Sequence, residues 1–279
     1  MTGMMRACVV GWPARHSRSP MIHRYWLHQL GISGDYVIEE VDQEAFPDFV
    51  RSLAPRGYAG CNVTVPHKEA ALRLADEADT AAQALGAANT LWLEGGRLCA
   101  ANSDVTGFLA SLDEARPGWD SGLDVAVVLG AGGAARGIVW GLVQRGVGTV
   151  HVVNRNLERA HALTSGYGEG VAPAGWPDLP HLLGEADLLV NATSLGMSGQ
   201  PALEIDLAPL PRHAIVADIV YAPLETPLLR VARARGNPAI DGLGMLLHQA
   251  VPGFERWFGV CPEVTPELRA LVAADIEKS

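Results

Sequence analysis

The amino-acid sequence predicts an α/β protein made of an N-terminal α/β unit and a second unit with a doubly wound parallel sheet. Short β-branched runs alternate with helical periodicity along most of the 279 residues. The apolar run at residues 125–129 is typical of a strand buried on both faces, and glycines follow it at once. Arg116-Pro117-Gly118 is a turn signal that separates this segment from the strands before it.

The N-terminal unit is predicted from the periodicity of residues 1–105. We predict strands at residues 6–10, 36–41, 59–65, 89–93 and 97–101. We predict helices at residues 21–30, 46–53, 67–75, 80–85 and 105–115. Glu94-Gly95-Gly96 joins the last two strands and is typical of a β-hairpin.

The second unit continues with further β-branched runs and helical patterns. We predict strands at residues 125–129, 149–153, 188–190 and 214–219, and helices at residues 134–145 and 224–235. After a turn at Gly242-Leu243-Gly244, we expect one long helix at residues 245–258 and a last helix at 266–276. Residues 245–258 are too apolar for an exposed helix, so we expect them to pack on the N-terminal unit. The predicted domains are therefore residues 1–105 completed by 241–279, and residues 106–240.

The glycine turn carries G-x-G-x-x-A spacing over Gly130, Gly132 and Ala135. The first glycine allows a tight turn, the second lets the backbone approach a pyrophosphate, and the small third residue packs helix on strand. A phosphate then meets free N–H groups at the helix N-terminus. The strand and helix on either side favour a Rossmann-like dinucleotide site over the alternative, a tight turn that binds no ligand.

The end of the next predicted strand indicates which dinucleotide is bound. An NAD site usually has an acid about 20 residues after the glycines, to bind the ribose 2′-hydroxyl. This chain has Asn154-Arg155-Asn156 there, with Arg159 one turn into the following helix. Arginine binds phosphate in a bidentate manner, so these residues favour the 2′-phosphate of NADP. The alternative is that both arginines are ordinary solvated side chains.

Three polar stretches of the N-terminal unit could provide a substrate site. Ser17 and Ser19 precede a helix, where their hydroxyls could cap the helix or donate to an anion. Lys68 lies at the start of another helix, which is unfavourable for a cation, so it is either a solvated surface lysine or a functional residue. Asp104 follows the hairpin, where an N-cap is the commonest role for aspartate.

Composition argues against several classes of protein. The formal net charge of −10 disfavours a nucleic-acid surface. No apolar run has the length of a membrane span, and the nine histidines show no metal-ligand spacing. The four cysteines are scattered, which is typical of small core residues in a reducing compartment. We therefore expect a cytoplasmic protein without a metal, a membrane partner or a nucleic-acid partner.

The polar stretches and the glycine turn lie in motifs that resemble those of the shikimate dehydrogenase family, in the family's order and over nearly the whole chain. The N-terminal motifs are G-x-P-x-x-H-S-x-S-P at 11–20, N-V-T-x-P-x-K at 62–68, G-A-A-N-T at 86–90 and N-S-D-x-x-G-F at 102–108. The later motifs are G-A-G-G-A-A-R at 130–136, N-A-T-S-x-G-M at 191–197 and the segments around Tyr221 and Gln249.

The resemblance implies an NADP-dependent oxidoreductase that reversibly reduces 3-dehydroshikimate to shikimate, in aromatic amino acid biosynthesis. It implies a catalytic pair of Lys68 and Asp104, with Lys68 as proton donor and acceptor. The implied substrate ligands are Ser17, Ser19, Asn62, Thr64, Asn89, Tyr221 and Gln249. The implied cofactor ligands are Gly130, Ala131, Gly132, Gly133, Ala134, Ala135, Asn154, Arg155, Asn156, Arg159, Thr193, Ile219 and Gly242. The expected partner is a small-molecule substrate, and the enzyme would be a monomer or a homodimer.

The chain departs from the family pattern at Asn156, where the family usually has threonine, so the strength of NADP preference depends on an amide at this position. Two alternatives stay open. One is a quinate/shikimate dehydrogenase that accepts quinate or NAD. The other is a catalytically idle dinucleotide-binding sensor, which would have no need of Lys68 and Asp104.

Overall fold

The structure is a computed structural model and describes residues 4–278. The chain divides into two compact units, one formed by Met1–Gly107 and Leu247–Val272 and the other by Phe108–Leu246 and Ala273–Ser279. Within the described residues, no helix has the length and apolarity needed to cross a membrane.

The N-terminal segment alternates strands and helices, as its periodicity predicts. The strands are β1 (Met5–Gly11), β2 (Gly34–Glu40), β3 (Tyr58–Val63), β4 (Glu77–Ala78), β5 (Thr90–Glu94) and β6 (Arg97–Ala101). The helices are α1 (Ser19–Gln29), α2 (Phe46–Arg51), α3 (Lys68–Leu74), α4 (Thr80–Leu85) and α5 (Ser103–Ala115). The six strands form one mixed sheet in the order β2-β1-β3-β5-β6-β4. In it β1 is parallel to β2 and β3, whereas β5 is antiparallel to β3 and β6.

The remaining elements follow in chain order. The strands are β7 (Val125–Leu129), β8 (Thr149–Val153), β9 (Val171–Ala174), β10 (Leu188–Asn191), β11 (Ile215–Asp218) and β12 (Ala239–Ile240). The helices are α6 (Gly133–Gln144), α7 (Leu157–Thr164), α8 (Leu179–Glu185), α9 (Pro227–Arg235), α10 (Gly242–His248), α11 (Val251–Phe258) and α12 (Pro266–Ile276).

The sheet of the second unit is parallel throughout and has the order β9-β8-β7-β10-β11-β12. This is the doubly wound order 3-2-1-4-5-6, and it confirms the predicted Rossmann-like fold. Apolar side chains cover both faces of the sheet, with Ile138 and Leu142 in one layer and Leu183 and Leu228 in the other. The strand order reverses between β7 and β10, and ligands bind such sheets at that switch point.

Helix α11 lies against β1, β3 and β5 of the first unit. Its Trp257 donates an indole N–H to the backbone oxygen of Leu91 at 2.9 Å. Gly60 on β3 makes room for this contact, since a Cβ there would lie 2.1 Å from that oxygen and 2.2 Å from the indole nitrogen. A side chain at position 60 would therefore displace α11 from the sheet.

Several sequence predictions were wrong in this structure. The single helix expected at residues 245–258 is two helices, α10 and α11, because Pro252 cannot continue the hydrogen-bond ladder of a preceding helix. The turn expected at residues 242–244 is the first turn of α10. Cys8, Cys61 and Cys99 are buried as expected, but Cys261 is exposed. The elements β4, β9, β12 and α8 were not predicted, and the two-residue strands β4 and β12 are too short to show any periodicity.

Candidate active site

Lys68 and Asp104 form an ion pair in the first unit, with Lys68 Nζ 2.6 Å from Asp104 Oδ2. Lys68 is the first residue of α3, and Asp104 is the second residue of α5. The two side chains keep 31% and 26% of their surface exposed, so a small molecule can reach both charges. The pair is thus accessible and still partly removed from water, which strengthens its electrostatics.

Asp104 is not the residue that caps α5. Its backbone N–H donates to the side-chain oxygen of Asn102 at 3.2 Å, so Asn102 takes the capping role. The Asn102 amide is itself held by the backbone oxygen of Ala87 at 2.9 Å. The Asp104 carboxylate is therefore available for contacts outside the helix.

Asn89 holds the second oxygen of that carboxylate. Its side-chain nitrogen donates to Asp104 Oδ1 at 2.8 Å, and its side-chain oxygen accepts from the backbone N–H of Ser103 at 2.8 Å. The hydroxyls of Thr90 and Ser103 both donate to the same oxygen at 3.1 Å. Each carboxylate oxygen of Asp104 thus has its own donor, Lys68 for one and Asn89 for the other.

Asn62 and Thr64 lie at the end of β3, close in sequence to Lys68. Asn62 is buried, and its side-chain nitrogen is 3.3 Å from both the backbone oxygen of Asn89 and the hydroxyl of Thr90. Thr64 is half-buried, and its backbone N–H donates to Val10 at 2.9 Å. The contacts of Asn62 support Asn89, and a direct bond from Asn62 to substrate stays a prediction.

The two serines predicted to bind a carboxylate are adjacent at the start of α1. Ser17 Oγ donates to Ser19 Oγ at 3.1 Å and accepts from the backbone N–H of Ser19 at 3.3 Å. Ser19 is buried and is the first residue of α1. Gln249 lies half-buried between α10 and α11 in the same unit, whereas Tyr221 lies in the second unit, after β11. Their roles as substrate ligands stay predictions.

The glycine turn of the second unit leaves open space at the N-terminus of α6. Gly130 has φ +106°, and a Cβ there would lie 3.0 Å from Thr193 Cγ2. A Cβ on Gly132 or Gly133 would meet nothing within 4 Å, and no side chain caps the helix at Gly132. Unpaired N–H groups therefore face open space, which fits a pyrophosphate. Ala131 and Ala134 are half-buried within this turn, and Ala135 is fully buried against the sheet.

Two arginines, one just after β8 and one in the first turn of α7, have no acidic partner among the described residues. Arg155 and Arg159 are exposed, and neither side chain forms a hydrogen bond or an ion pair within residues 4–278. Asn156 caps α7, its side-chain oxygen accepting from the backbone N–H of Arg159 at 3.1 Å. Asn154 donates to the backbone oxygen of Asn156 at 2.8 Å, which fixes the loop that carries Arg155. This arrangement fits a group with two negative charges, such as a ribose 2′-phosphate.

A buried carboxylate, Asp218, joins the loops that follow β10 and β11. It accepts from Asn191 Nδ2 at 2.9 Å, from Thr226 Oγ1 at 2.8 Å and from the backbone N–H of Val220 at 3.0 Å. Burial raises the pKa of Asp218, and these donors oppose that shift by stabilising the charged form. Asn191 in turn accepts from the Thr193 hydroxyl at 2.7 Å. The carboxylate therefore fixes Thr193, one of the predicted cofactor ligands.

Gly242 and Ile219, two further predicted cofactor ligands, are adjacent. A Cβ on Gly242 would lie 2.2 Å from the backbone oxygen of Ile219, so only glycine allows this approach. The Ile219 N–H donates to the backbone oxygen of Asn191 at 3.1 Å.

The structure adds polar side chains that the sequence interpretation did not single out. In the first unit these are Tyr36, Thr90 and Ser103, and in the second Asn191 and Asp218. The sequence could have indicated Asp218, because a carboxylate at the end of an apolar strand must be hydrogen-bonded or functional. Nothing in the sequence could have indicated Tyr36, since a tyrosine in a strand is usual for the core. Within residues 4–278, no group of three or more His, Cys, Asp and Glu side chains could hold a metal ion.

Profiles of known protein families match most of this chain. The shikimate dehydrogenase substrate binding domain matches residues 9–91, the shikimate / quinate 5-dehydrogenase family matches residues 120–208, and the shikimate 5′-dehydrogenase C-terminal domain matches residues 242–266.

Among curated relatives, a shikimate dehydrogenase (NADP(+)) from Rhodopseudomonas palustris strain BisB18 is 59% identical over 276 residues, 99% of each chain. The corresponding protein of Nitrobacter winogradskyi is 60% identical, over 97% of this chain and 96% of its own.

Solved structures agree in fold. A shikimate 5-dehydrogenase from Thermus thermophilus, in complex with NADP(H) and shikimate, has a TM-score of 0.83 and 36% identity, over 98% of this chain and 100% of its own. A quinate dehydrogenase from Corynebacterium glutamicum, in complex with NAD, has a TM-score of 0.89 and 30% identity, over 97% of this chain and 99% of its own. Near-complete coverage at 59–60% identity leaves one conclusion: the chain belongs to the shikimate dehydrogenase family.

Proposed function

We propose that this protein catalyses the NADP-dependent, reversible reduction of 3-dehydroshikimate to shikimate, a step of aromatic amino acid biosynthesis. The observation that carries the proposal is the accessible Lys68–Asp104 ion pair, with its carboxylate held by Asn89. The relatives that are 59–60% identical carry the name of this activity.

Lys68 is proposed as the acid and base of the reaction. Reduction of a ketone places negative charge on its oxygen, and that charge needs a positioned cation and a proton. The ammonium group of Lys68 supplies both in reduction, and the neutral amine takes the proton back in oxidation. Asp104 orients Lys68 and offsets the cost of keeping its charge in a partly desolvated site. The bound cofactor would supply the hydride as NADPH in reduction and accept it as NADP⁺ in oxidation.

The substrate is a carboxylate with several hydroxyl groups, so its site needs many hydrogen-bonding groups. We propose that the hydroxyls of Ser17 and Ser19 donate to the carboxylate, since they lie together at the start of α1. Asp104 and Asn89 would bind ring hydroxyls beside Lys68. The remaining proposed ligands are Asn62, Thr64, Tyr221 and Gln249.

The proposed cofactor is NADP. The open N-terminus of α6 would hold the pyrophosphate, and Arg155 with Arg159 would hold the 2′-phosphate. The side-chain oxygen of Asn156 is used by the helix cap, which leaves its amide N–H₂ free to donate outward. The amide that replaces the family's usual threonine is therefore compatible with a phosphate.

The residues at the tip of β8 argue against NAD as the cofactor, which is one part of the alternative of a quinate/shikimate dehydrogenase that accepts quinate or NAD. An NAD site usually has a carboxylate that binds the ribose 2′-hydroxyl, and positions 154–156 supply two amides and an arginine instead. We further propose a cytoplasmic enzyme, because the buried thiols of Cys8, Cys61 and Cys99 suit a reducing compartment. A monomer or a homodimer stays the proposed assembly. With a net charge of −10, we propose no nucleic-acid partner.

The test is an assay of the purified protein with shikimate and NADP, following the absorbance of NADPH. Quinate replaces shikimate and NAD replaces NADP in parallel reactions. We expect the highest kcat/KM with shikimate and NADP. A higher kcat/KM with quinate or NAD would contradict the proposal, and NADP binding without turnover of either substrate would identify a sensor.

A further inference from the structure

Tyr36 is a fully buried side chain on β2 that the mechanism above does not use. Its hydroxyl donates to the side-chain oxygen of Asn62 at 2.6 Å. The His23 ring stacks on it at a centroid distance of 4.0 Å and an angle of 6°, which holds the phenol in one orientation. Burial raises the pKa of Tyr36 well above its usual value, so the hydroxyl keeps its proton and remains a donor.

The donated proton determines which way the Asn62 amide faces. With its oxygen bound to Tyr36, the Asn62 nitrogen lies 3.3 Å from the backbone oxygen of Asn89 and from Thr90 Oγ1. An amide turned over by 180° would place its oxygen against the Asn89 carbonyl, leaving two acceptors in contact without a proton. The hydroxyl of Tyr36 therefore selects the orientation that supports Asn89.

From Asn62 the hydrogen bonds run in one direction to the catalytic pair. Thr90 Oγ1 donates to Asn89 Oδ1 at 3.1 Å, and Asn89 Nδ2 donates to Asp104 Oδ1 at 2.8 Å. Successive donors point toward the Asp104 carboxylate, and such chains strengthen each bond by mutual polarisation. The chain ends where Asp104 Oδ2 holds Lys68.

Tyr36 also responds to one of the serines that are proposed to bind the substrate carboxylate. Burial raises the pKa of Tyr36, and the Ser19 side chain opposes part of that rise. Ser17 in turn donates to Ser19 at 3.1 Å. The surroundings of Tyr36 thus include the chain of bonds that leads to Asp104 and a serine proposed to bind the substrate.

We infer that Tyr36 is a positioning residue, which acts through Asn62 and Asn89 to hold Asp104 and Lys68 for proton transfer. The inference rests on the proposed function. It differs from a purely structural role, in which the hydroxyl would satisfy a buried amide and affect stability alone.

The test compares Tyr36→Phe with Tyr58→Phe. Tyr58 is a matched control because it is also buried in the same sheet and its hydroxyl donates to Glu39, away from this chain of bonds. Wild type and both variants are assayed with shikimate and NADP, and thermal unfolding reports their folding. We expect kcat of Tyr36→Phe to fall about tenfold, the rate equivalent of one hydrogen bond, with a smaller change in KM. Tyr58→Phe should keep kcat and KM.

Two further measurements separate positioning from stability. With NADPH deuterated at the transferred hydride in the reverse reaction, Tyr36→Phe should show a larger primary isotope effect on kcat, because hydride transfer assisted by a poorly placed Lys68 limits turnover more fully. In an Asn62→Leu background, Tyr36→Phe should cause no further loss of kcat, because both changes break the same chain. If Tyr36→Phe does not fold, folded Thr90→Val decides the question, because Thr90 is in the same chain of bonds and is not a proposed substrate ligand: a loss of kcat supports the inference and an unchanged kcat overturns it.

Folded Tyr36→Phe with the kcat and isotope effect of wild type would overturn the inference, as would folded Asn62→Leu with unchanged kcat. An equal loss of kcat in Tyr58→Phe would overturn it too. Inactivity of the wild-type protein with shikimate and NADP would instead contradict the proposed function, so the two failures are distinguishable.

Discussion

Asp104 holds Lys68 across 36 positions of sequence, with the Lys68 ammonium 2.6 Å from one carboxylate oxygen and the Asn89 amide 2.8 Å from the other. Both residues lie in the first turn of a helix, where a negative charge is stabilised and a positive charge is not. Asp104 is thus the fixed partner of the pair, held by its helix and by Asn89. Among the described residues, Asp104 is the one ion-pair partner of Lys68, which suits the proton exchange proposed for this lysine.

Replacing Lys68 with methionine tests the proton transfer. If Lys68 donates to the forming alkoxide, its interaction strengthens in the transition state, so the loss falls on kcat rather than on KM. General acid catalysis contributes about 10²–10⁴-fold, and we expect kcat of Lys68→Met to fall by about that factor. Steady-state kinetics with shikimate and NADP measure it, and circular dichroism checks the fold.

Lys278 provides the matched control, because it is the chain's only other lysine and is exposed. Lys278→Met should retain wild-type kinetics.

Asp104→Asn should also have a lower kcat, and its KM should rise if Asp104 binds a ring hydroxyl. The double variant Lys68→Met/Asp104→Asn should be little slower than Lys68→Met, because the two residues act as one unit. Folded Lys68→Met with near-normal turnover would remove Lys68 from the catalytic role.

The local parts of this site could be predicted from sequence, and the long-range parts could not. The apolar run of β7, its glycines and the helix after them are adjacent in the chain, so their spacing alone predicts a phosphate site. The contact of Lys68 with Asp104 depends instead on the pairing of β3 with β5 and of β5 with β6. Local periodicity does not encode strand pairing, so only the family resemblance brought these two residues together.

The buried polar contacts could not be predicted from the sequence either. Tyr36 reaches Asn62 across the sheet because their strands, β2 and β3, both pair with β1, and the spacing of residues 36 and 62 carries no sign of that pairing. The broken helix at residues 245–258 is a different failure. Pro252 was a local signal for a break, but the apolar character of the whole run was given more weight.

Arg155→Ala tests the choice of cofactor. Arg155 is exposed at the tip of β8 and has no ion-pair partner within residues 4–278, so its removal should not disturb the fold. Hydrogen bonds to charged groups contribute about 1.5–3 kcal/mol, so we expect the KM for NADP to rise about 10- to 150-fold. The KM for NAD should stay near its wild-type value.

Arg233→Ala is the control for Arg155→Ala, because Arg233, on α9, is paired with Glu225 and its loss should affect the binding of neither cofactor. Equal weakening of NADP and NAD by Arg155→Ala would show that the arginine stabilises the loop instead of binding the 2′-phosphate.

Substitutions at Asn156 should separate its role as a helix cap from its role beside the cofactor. Asn156→Ala removes the acceptor for the Arg159 N–H and should lower the free energy of unfolding by about 1 kcal/mol. Asn156→Asp keeps the cap and adds a negative charge near the helix N-terminus, so stability should be retained. That charge lies next to Arg155 and should raise the KM for NADP relative to NAD.

Asn156→Thr, the residue that the family usually has, should retain both stability and NADP preference, because a threonine hydroxyl also caps helices. Chemical denaturation gives the first quantity and steady-state kinetics the second. Asn156→Asp with an unchanged ratio of the two KM values would place position 156 outside the 2′-phosphate site.

His23 should make the protein sensitive to acid. Its ring is fully buried among aromatic side chains, and neither ring nitrogen has a hydrogen-bond partner within the described residues. Burial lowers its pKa from 6.5 to about 3. The unfolded chain therefore takes up a proton at His23 over a pH range in which the folded chain does not. Stability is full above about pH 6.5 and falls as the pH drops toward 3.

Replacing His23 with phenylalanine removes this proton while keeping an aromatic ring in the stack. Between about pH 8 and pH 5, the wild type should lose about 2 kcal/mol of unfolding free energy that His23→Phe does not lose, since one pKa unit corresponds to about 1.4 kcal/mol. Urea denaturation at a series of pH values measures the difference. His28→Phe, on the exposed side of the same helix, should keep the wild-type loss. If His23→Phe lost stability as steeply as the wild type, the acid sensitivity would come from other groups.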